Sequence, residues 1–291
     1  MAASGQAPTS GEYIVHHLTH LQNKTQTEVV DFSVINMDSV FWSITLGIIA
    51  CSFMYFAARR ATSDAPGRLQ ALVEMIYEMV DSQAKGIVHN ATSRTFVVPL
   101  AMVIFVWIFL MNFMDMLPVD LIPSIWHVAG PAMGAKDYMR VVPTADLSVT
   151  MGMAVAVLMI CIYYNIKIKG LGGWAHELVC APFGTSKNPI FALLLGVANF
   201  AMQMMEFVAK TVSHGMRLFG NMYAGELLFM LIALLGGAWA LSFDPGSLAL
   251  LVLHVVAGWA WAVFHILIIV LQAFVFMMLT LVYIGQAHDA H

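Results

Sequence analysis

Long uncharged apolar runs alternate with short polar segments along this chain and predict membrane-spanning helices. Three of these runs, Ser39–Ala58, Thr95–Met114 and Leu147–Ile166, are each 20 residues long. At a rise of about 1.5 Å per residue, each run covers about 30 Å, which is the hydrocarbon thickness of a bilayer. We therefore expect three transmembrane helices before residue 188.

The stretch 189–236 is also apolar, but it carries a regular series of polar side chains. They recur at intervals of 4, 3, 4 and 4: Glu206, Lys210, Ser213, Arg217 and Asn221. This spacing places them on one stripe of a single helix, and no proline interrupts the stretch after its first residue. The alternative is two short spans, 188–205 and 227–243, joined by a charged loop. A single helix is about 70 Å long, so it must tilt in the bilayer or rest on other protein.

The segment 248–287 contains no Asp, Glu, Lys or Arg and predicts a second long helix. The turn signal Phe243–Gly246 precedes it, so the two long helices form an antiparallel hairpin. If the turn centres near Asp244–Pro245, facing residues have numbers that sum to about 489–490. The rare polar groups that this register brings to matching depths are Arg217 with Gln272 and Glu226 with His265.

Basic residues indicate which side of the membrane each loop occupies. Five that adjoin the first three spans all fall on one side if the chain starts outside: Arg59, Arg60, Arg94, Lys167 and Lys169. Because cytoplasmic loops are enriched in Lys and Arg, this side is cytoplasmic and the chain begins outside. Segment 117–146 is then an external loop, and segment 167–188 is a cytoplasmic one.

Segment 63–86 predicts an amphipathic helix on the cytoplasmic membrane surface. Ser63 or Asp64 suits the N-cap, and Pro66 suits the first turn. Apolar residues define one face: Leu69, Leu72, Val73, Ile76 and Val80. The other face is polar, so this helix lies on the membrane or packs on a partner and does not span the bilayer.

Composition agrees with a membrane protein and excludes several other classes. Hydrophobic residues make up 60% of the chain and charged residues 10%, with a mean hydropathy of +0.80, well outside the range of soluble domains. The net charge of −4 gives no reason to expect a nucleic-acid partner. The three cysteines lack disulfide or metal spacing, and the polar N-terminal segment lacks the pattern of a cleaved signal peptide.

Arg217 is the most unusual residue of the apolar C-terminal region. A guanidinium stays protonated, and placing it at mid-membrane depth costs about 2.5–3.5 kcal/mol on insertion scales. Such a charge marks an ion path or pairs with a structural carboxylate. Glu226 lies about 180° around the helix and about 13.5 Å further along its axis. Glu226 is therefore unsuited to a simple ion pair with Arg217, and an ion path is the better interpretation.

Four motifs carry a family resemblance. The most specific is MRLFGNMYAGELLF, which contains Arg217 and Glu226. The others are the run Phe264–Ile284, the NMDS sequence at Asn36–Ser39 and the NFMDMLPVDLIP sequence that ends at Pro123. In their order and spacing they resemble subunit a of F-type ATP synthases, the stationary ion-channel subunit beside a rotating ring of c subunits. The resemblance covers nearly the whole chain and is closest to the bacterial form.

The resemblance implies an all-α polytopic membrane protein with five membrane-crossing helices and one cytoplasmic-surface amphipathic helix. The N-terminus is then external, the C-terminus is cytoplasmic, and the last two helices form a long tilted antiparallel hairpin against the c-ring. The expected divisions of this single membrane domain, 1–291, are an external segment 1–37, span 39–58, surface helix 63–86, span 95–116, external loop 117–146, span 147–166, cytoplasmic loop 167–188, long helix 189–236, external turn 237–247 and long helix 248–287.

The resemblance also implies roles for individual residues. Arg217 corresponds to the essential arginine of the family. The residues expected at an external half-channel are Asn221, Glu226, His265 and Gln272, with Asp115, Asp120 and Asp146 near its mouth. Those expected at a cytoplasmic half-channel are Glu206, Lys210 and Ser213. Other members carry the cytoplasmic acid three residues earlier, where this chain has Gln203.

These roles imply that protons cross the membrane through two offset half-channels by way of carboxylates on the c-ring. Arg217 prevents a direct leak and couples proton flow to rotation. The expected partners are c-ring subunits, peripheral-stalk b subunits, membrane lipid and protons, in a bacterial inner membrane. No nucleic acid, nucleotide, cofactor or metal is expected, and the chain is not an enzyme by itself.

Two other classes fit the sequence less well. A secondary transporter usually contains two related halves, but the first three spans lack the charge pattern of the final hairpin. An intramembrane enzyme needs a catalytic motif, and the chain contains no HExxH, no GxSxG and no phosphate-binding glycine loop. His16, His17 and His20 superficially resemble a metal cluster, but they suit a polar external segment better.

Overall fold

The computed structural model describes residues 10–24, 26, 31, 33–63, 65–118, 121–129, 139–184, 188–237 and 244–288. These residues form eight α-helices: α1 (Ser10–Leu18), α2 (Met37–Arg59), α3 (Arg68–Ile87), α4 (Ala91–Phe113), α5 (Leu121–Ala129), α6 (Leu147–Cys180), α7 (Pro189–Gly237) and α8 (Pro245–Gln286). Two 3₁₀ turns, Met114–Met116 and Pro143–Ala145, follow α4 and precede α6. An isolated β-bridge pairs Gln22 with Asn36.

Five of these helices are long and apolar enough to cross a membrane: α2, α4, α6, α7 and α8. They confirm the expected all-α polytopic membrane fold. Helix α7 has 49 residues and α8 has 42. At about 1.5 Å per residue, each is at least about twice as long as the bilayer core is thick. Helix α7 is continuous from Pro189 to Gly237. This continuity favours one long helix in this region over two short spans.

The amphipathic helix α3 begins later than the sequence predicted. Its first residue is Arg68, and its N-cap is Gly67, in an extended conformation without a side-chain hydrogen bond. The prediction that Ser63 caps this helix is therefore wrong, and Asp64 lies outside the described residues. Pro66 explains the late start, because proline disfavours helical backbone in the residue that precedes it.

Two segments that the sequence predicted as loops contain helix. Helix α6 continues past residue 166 to Cys180, with a kink at Gly170, where φ is 72° and ψ is 162°. Glycine adopts positive φ at little cost, so one residue redirects the chain and helical geometry then resumes. The segment 117–146 contains α5, which has Pro123 in its first turn. Proline is tolerated there, because its missing N–H has no partner within the helix.

Internal contacts divide the chain into two units. The first comprises residues 1–51, 107–149 and 219–273, and the second comprises residues 52–106, 150–218 and 274–291. Methionines fill much of the core of the first unit: Met111, Met222 and Met230. Aliphatic residues contribute much of the core of the second: Val80, Val98, Ala101, Leu281 and Ile284. Close packing in each core fixes the helices that carry the polar side chains.

Within the first unit, α7 and α8 pair in the predicted antiparallel register. The close approaches are Gly225 with His265, Ile232 with Gly258 and Gly236 with His254. The residue numbers of each pair sum to 490. Nδ1 of His254 also donates a hydrogen bond to the carbonyl oxygen of Ile232, at 2.8 Å. The predicted register is thereby confirmed for these residues, while 238–243 of the expected turn 237–247 lie outside the described part of the chain.

Candidate functional site

A buried ion pair joins α7 to the segment that precedes α6. Arg140 donates two hydrogen bonds to Glu226, from Nε to Oε1 at 3.2 Å and from Nη2 to Oε2. Both side chains are buried. Two-point pairing fixes the orientation of both planar groups, so a residue outside the long hairpin holds Glu226 in place.

His265 on α8 makes a second buried contact, with Asp115 in the 3₁₀ turn after α4. Its Nε2 lies 2.7 Å from Oδ2 of Asp115. Gly225 makes room for this arrangement. A Cβ atom on that residue would stand 2.9 Å from Nδ1 of His265 and 3.3 Å from Oδ2 of Asp115. The glycine that precedes Glu226 is therefore a requirement of the site.

A small cavity is lined by one residue from each of these two contacts. It has a volume of about 30 Å³, and both Asp115 and Glu226 line it. This volume exceeds the space that one water molecule requires. The site therefore has room for a water that bridges the two carboxyl groups.

The backbone around Arg140 is tied to α2 and to the N-terminal segment. Asp38, in the first turn of α2, is fully buried. Its Oδ2 accepts hydrogen bonds from the backbone N–H groups of Leu21, at 3.0 Å, and Arg140, at 3.3 Å. Nε2 of His20 lies 2.8 Å from Nη1 of Arg140. We call the whole arrangement the acid–base cluster: His20, Asp38, Asp115, Arg140, Glu226 and His265.

The remaining residues predicted for the external half-channel lie in different surroundings. Asp146 is buried and caps α6 by accepting a hydrogen bond from the N–H of Ser148, at 2.9 Å. Gln272 is buried on α8, whereas Asn221 is exposed on α7. Asp120 lies outside the described residues. The acid–base cluster thus brings together Asp115, Glu226 and His265 from the predicted set.

Arg217 is exposed on α7. Among the described residues it has no hydrogen-bond or ion-pair partner. Other members of its stripe share the exposed face: Glu206, Ser213 and Asn221. A charge at membrane depth is costly unless it is paired or reaches water. The described part of this fold therefore does not pair Arg217 with a carboxylate of its own.

The second unit contains a cavity of about 1020 Å³. Helices α6, α7 and α8 contribute its walls, and the lining includes several charged or titratable side chains: Lys169, His176, Glu177, Glu206, Lys210 and His214. Nζ of Lys169 lies 2.8 Å from each carboxylate oxygen of Glu177. Nζ of Lys210 lies 2.6 Å from Oε1 of Glu206. A cavity of this size and polarity admits water.

Of the residues predicted for the cytoplasmic half-channel, Glu206 and Lys210 line this cavity. Ser213 is exposed and is not part of the lining. Gln203 does line the cavity, so both positions at which an acid was expected open into the same space. Lys210 also donates a hydrogen bond to Oε1 of Gln286 on α8, at 2.8 Å.

Sequence reasoning missed half of the acid–base cluster. Arg140 carried a usable signal, because a basic residue in a predicted external loop runs against the enrichment of Lys and Arg in cytoplasmic loops. Asp38 belongs to the NMDS motif, but the motif does not indicate that this carboxylate holds a distant segment. His20 gave no signal apart from its closeness in sequence to His16 and His17. Among the described residues, no group of three or more His, Cys, Asp or Glu side chains is suited to hold a metal ion.

Five apolar helices with ionisable groups buried between them define a polytopic membrane protein with the polar interior of an ion-translocating subunit. The sequence model of the family described as ATP synthase A chain matches residues 40–285, and the chain belongs to this family. It is 65% identical to the ATP synthase subunit a of Acidovorax sp. (strain JS42), over the full length of both chains. It is 64% identical to the subunit a of Paracidovorax citrulli (strain AAC00-1), again over both full chains. The subunit a of Psychrobacter sp. (strain PRwf-1) is 44% identical over 96% of each chain.

Membership in this family makes the chain a proton-translocating subunit of the membrane sector of ATP synthase. It works within a complex of other subunits and is not itself catalytic. Its five apolar helices make it a multi-pass protein of a bacterial membrane.

Proposed function

We propose that this chain is the stationary ion-channel subunit of a rotary ATP synthase. Protons pass to and from carboxylates on a ring of c subunits through two separate half-channels. One half-channel includes the acid–base cluster, and the other includes the cavity of the second unit. Arg217 prevents a direct leak and couples proton flow to rotation. The observation that carries this proposal is an exposed Arg217 with no hydrogen-bond or ion-pair partner among the described residues, on a helix whose Glu226 pairs with a different arginine.

On the external side, protons reach the c-ring by way of Glu226 and His265. Carboxylate and imidazole groups both exchange protons with water and can relay them. Asp115, 2.7 Å from the imidazole, orients the ring. The small cavity leaves room for a bridging water. Four further residues complete this half-channel in the proposal: Asn221 and Gln272 along the hairpin, and Asp120 and Asp146 near the mouth.

Arg217 acts on the c-ring carboxylate that arrives opposite it. A fixed positive charge stabilises the ionised carboxylate and so favours release of its proton. The same charge opposes a hydronium ion that would cross directly. Each proton that crosses 100 mV supplies about 2.3 kcal/mol, so a leak past Arg217 would dissipate the driving force for rotation.

On the cytoplasmic side, the large cavity accepts the released proton. Glu206 and Lys210 line it, and Ser213 lies one turn before Arg217 on the same helix. Water in the cavity carries the proton onward, and the carboxylate of Glu206 provides a relay group. In this proposal the N-terminus is external and the C-terminus is cytoplasmic, and peripheral-stalk b subunits hold the chain still while the c-ring turns.

Cysteine crosslinking in the assembled complex tests the proposed contact with the c-ring. The native cysteines Cys51, Cys161 and Cys180 are first replaced by serine. Ser213→Cys and Asn221→Cys then place a thiol on the exposed face that carries Arg217. A cysteine introduced into the c subunit supplies the second thiol.

We expect an oxidant to join both variants to the c subunit. The matched control is Ile48→Cys on α2, which is 61% exposed but belongs to a helix with no proposed contact to the c-ring. Absence of a product from both test positions, or an equal yield from Ile48→Cys, contradicts the proposed geometry.

A further inference from the structure

We propose that His20 is a positioning residue for proton uptake: it holds the guanidinium of Arg140 in the orientation that pairs with Glu226. This inference rests on the proposed role of Glu226 in the external half-channel. It assigns a function to a residue of the N-terminal segment, which precedes the part of the chain matched by the family.

The contacts of His20 define its protonation pattern. Nε2 lies 2.8 Å from Nη1 of Arg140. A guanidinium only donates hydrogen bonds, so Nε2 must be the acceptor and carries no proton. The proton of the neutral ring is therefore on Nδ1, which lies 3.4 Å from Oδ2 of Asp38. The ring thus faces a donor on one side and a carboxylate on the other.

Asp38 keeps His20 in this position. The carboxylate is fully buried, and it accepts hydrogen bonds from the backbone N–H groups of Leu21, at 3.0 Å, and Ser39, at 2.8 Å. Leu21 directly follows His20, so the same carboxylate fixes the backbone of the N-terminal segment beside the imidazole. The N–H of Met37 also donates to the carbonyl oxygen of Leu21, at 2.8 Å. The imidazole is therefore placed by a rigid connection to α2.

Arg140 is held through all three nitrogens of its guanidinium and through its backbone N–H. Nε and Nη2 donate to Glu226, Nη1 donates to His20, and the backbone N–H donates to Asp38. Removing the imidazole leaves Nη1 without this acceptor in a buried site. The guanidinium then turns toward a replacement acceptor, and its two-point contact with Glu226 loses its alignment.

Substitutions at His20 can distinguish a hydrogen-bonding role of the side chain from a role in packing alone. An apolar side chain of similar size fills the same volume but accepts no hydrogen bond. A glutamine can accept from Arg140 through Oε1 and turn its Nε2 donor toward Asp38, the side on which the neutral imidazole carries Nδ1–H. A lysine reaches the site but only donates, and its charge opposes the guanidinium.

The test compares His20→Leu, His20→Gln and His20→Lys in the complete ATP synthase, reconstituted into liposomes. The measured quantity is the initial rate of ATP synthesis driven by an imposed proton gradient, divided by the amount of this subunit in the vesicles. We expect His20→Leu and His20→Lys to lower this rate about tenfold, while His20→Gln stays within about twofold of the unchanged protein. The control is His16→Leu, because His16 is an exposed histidine of the same N-terminal segment.

Two outcomes overturn the inference. Unchanged rates in His20→Leu and His20→Lys show that no acceptor is needed. Equal losses in His20→Leu, His20→Lys and His20→Gln show that the ring matters for its shape. If His20→Leu fails to accumulate, the comparison of His20→Gln with His20→Lys decides alone, and equal rates contradict the inference.

A separate variant distinguishes a failure of the proposed function from a failure of this inference. Glu226→Gln keeps the size of the side chain but removes its ionisable group. Normal synthesis in Glu226→Gln contradicts the proposed role of Glu226. A loss of synthesis in Glu226→Gln, together with a normal rate in His20→Leu, contradicts only the role of His20.

Discussion

The guanidinium of Arg140 and the carboxylate of Glu226 form a two-point ion pair whose side chains are 4% and 9% exposed. This pairing answers a question that the sequence leaves open, namely which charge Glu226 compensates. The partner is Arg140 on the segment before α6, and not Arg217, the single arginine of the long hairpin. Two arginines of one chain therefore differ in their surroundings: one is buried with an acid, and the other is exposed.

Breaking the Arg140–Glu226 pair is expected to destabilise the subunit. Arg140→Leu leaves a buried carboxylate without its cation, at a cost of about 3–5 kcal/mol. The melting temperature of this subunit in the detergent-solubilised complex should fall. The double variant Arg140→Leu/Glu226→Leu should recover part of the loss, since it removes both charges. Arg68→Leu, at the exposed start of α3, serves as the control. If the loss in the double variant equals the sum of the losses in Arg140→Leu and Glu226→Leu, the pairing is contradicted.

Adding one methyl group at Gly225 is expected to disrupt the acid–base cluster. The new Cβ in Gly225→Ala overlaps the ring of His265 and crowds Asp115, so the contact between these two residues must shift. ATP-driven proton pumping should fall about tenfold or more, because small displacements at a reacting group are costly. Gly152→Ala on α6 is the matched control, since nothing lies within 4 Å of its added atom. Equal pumping in both variants contradicts the importance of this close approach.

Because residues 203 and 206 both line the large cavity, we expect an acid at either position to support proton release. Glu206→Gln should lower pumping by no more than about tenfold, because Glu177 remains in the same cavity. Adding Gln203→Glu to this variant should restore most of the rate, since residue 203 also lines the cavity. Pumping is followed by the quenching of a pH-sensitive dye in inverted membranes. Failure of Gln203→Glu to restore the rate would indicate that proton release does not use this space.

Asn199 is expected to stabilise one wall of that cavity. It is fully buried, and its amide donates to the carbonyl oxygens of Val179, at 2.8 Å, and Gly184, at 3.3 Å. It also accepts from the N–H of Phe183, at 3.1 Å. Asn199→Leu leaves these backbone groups unpaired and should cost about 1–3 kcal/mol for each one that stays buried. The melting temperature should fall, while Phe200→Leu, at an exposed neighbouring position, leaves it nearly unchanged.

Much of the hairpin could be predicted from the sequence, because in two regular helices the depth of each residue follows from its distance in sequence from the turn. The turn near Asp244 sets the register, and facing residues then follow from their numbers alone. The pairing of Gly225 with His265 agrees with that expectation. Spans 20 residues long can also be predicted from the sequence, since hydrocarbon thickness sets a minimum length for an uncharged run.

The acid–base cluster could not be predicted in the same way, because its members are far apart in sequence. Arg140 and Asp38 lie in segments without periodicity, and their contact depends on how irregular backbone folds back onto α2. The kink in α6 is also invisible to a hydropathy pattern, since Gly170 is one of several glycines and only the fold selects its positive φ. Side-chain partners across such segments require the three-dimensional structure.

ATP-driven proton pumping by the Arg217→Ala complex tests the role of the exposed arginine most directly. The measurement uses inverted membranes in which subunit content and ATP hydrolysis are shown to match those of the unchanged complex, with Arg68→Ala as the control. We predict that Arg217→Ala assembles and hydrolyses ATP but generates no proton gradient, because the c-ring carboxylates lose the fixed charge that couples their rotation to proton release. A proton gradient of normal size in Arg217→Ala would contradict the proposed coupling.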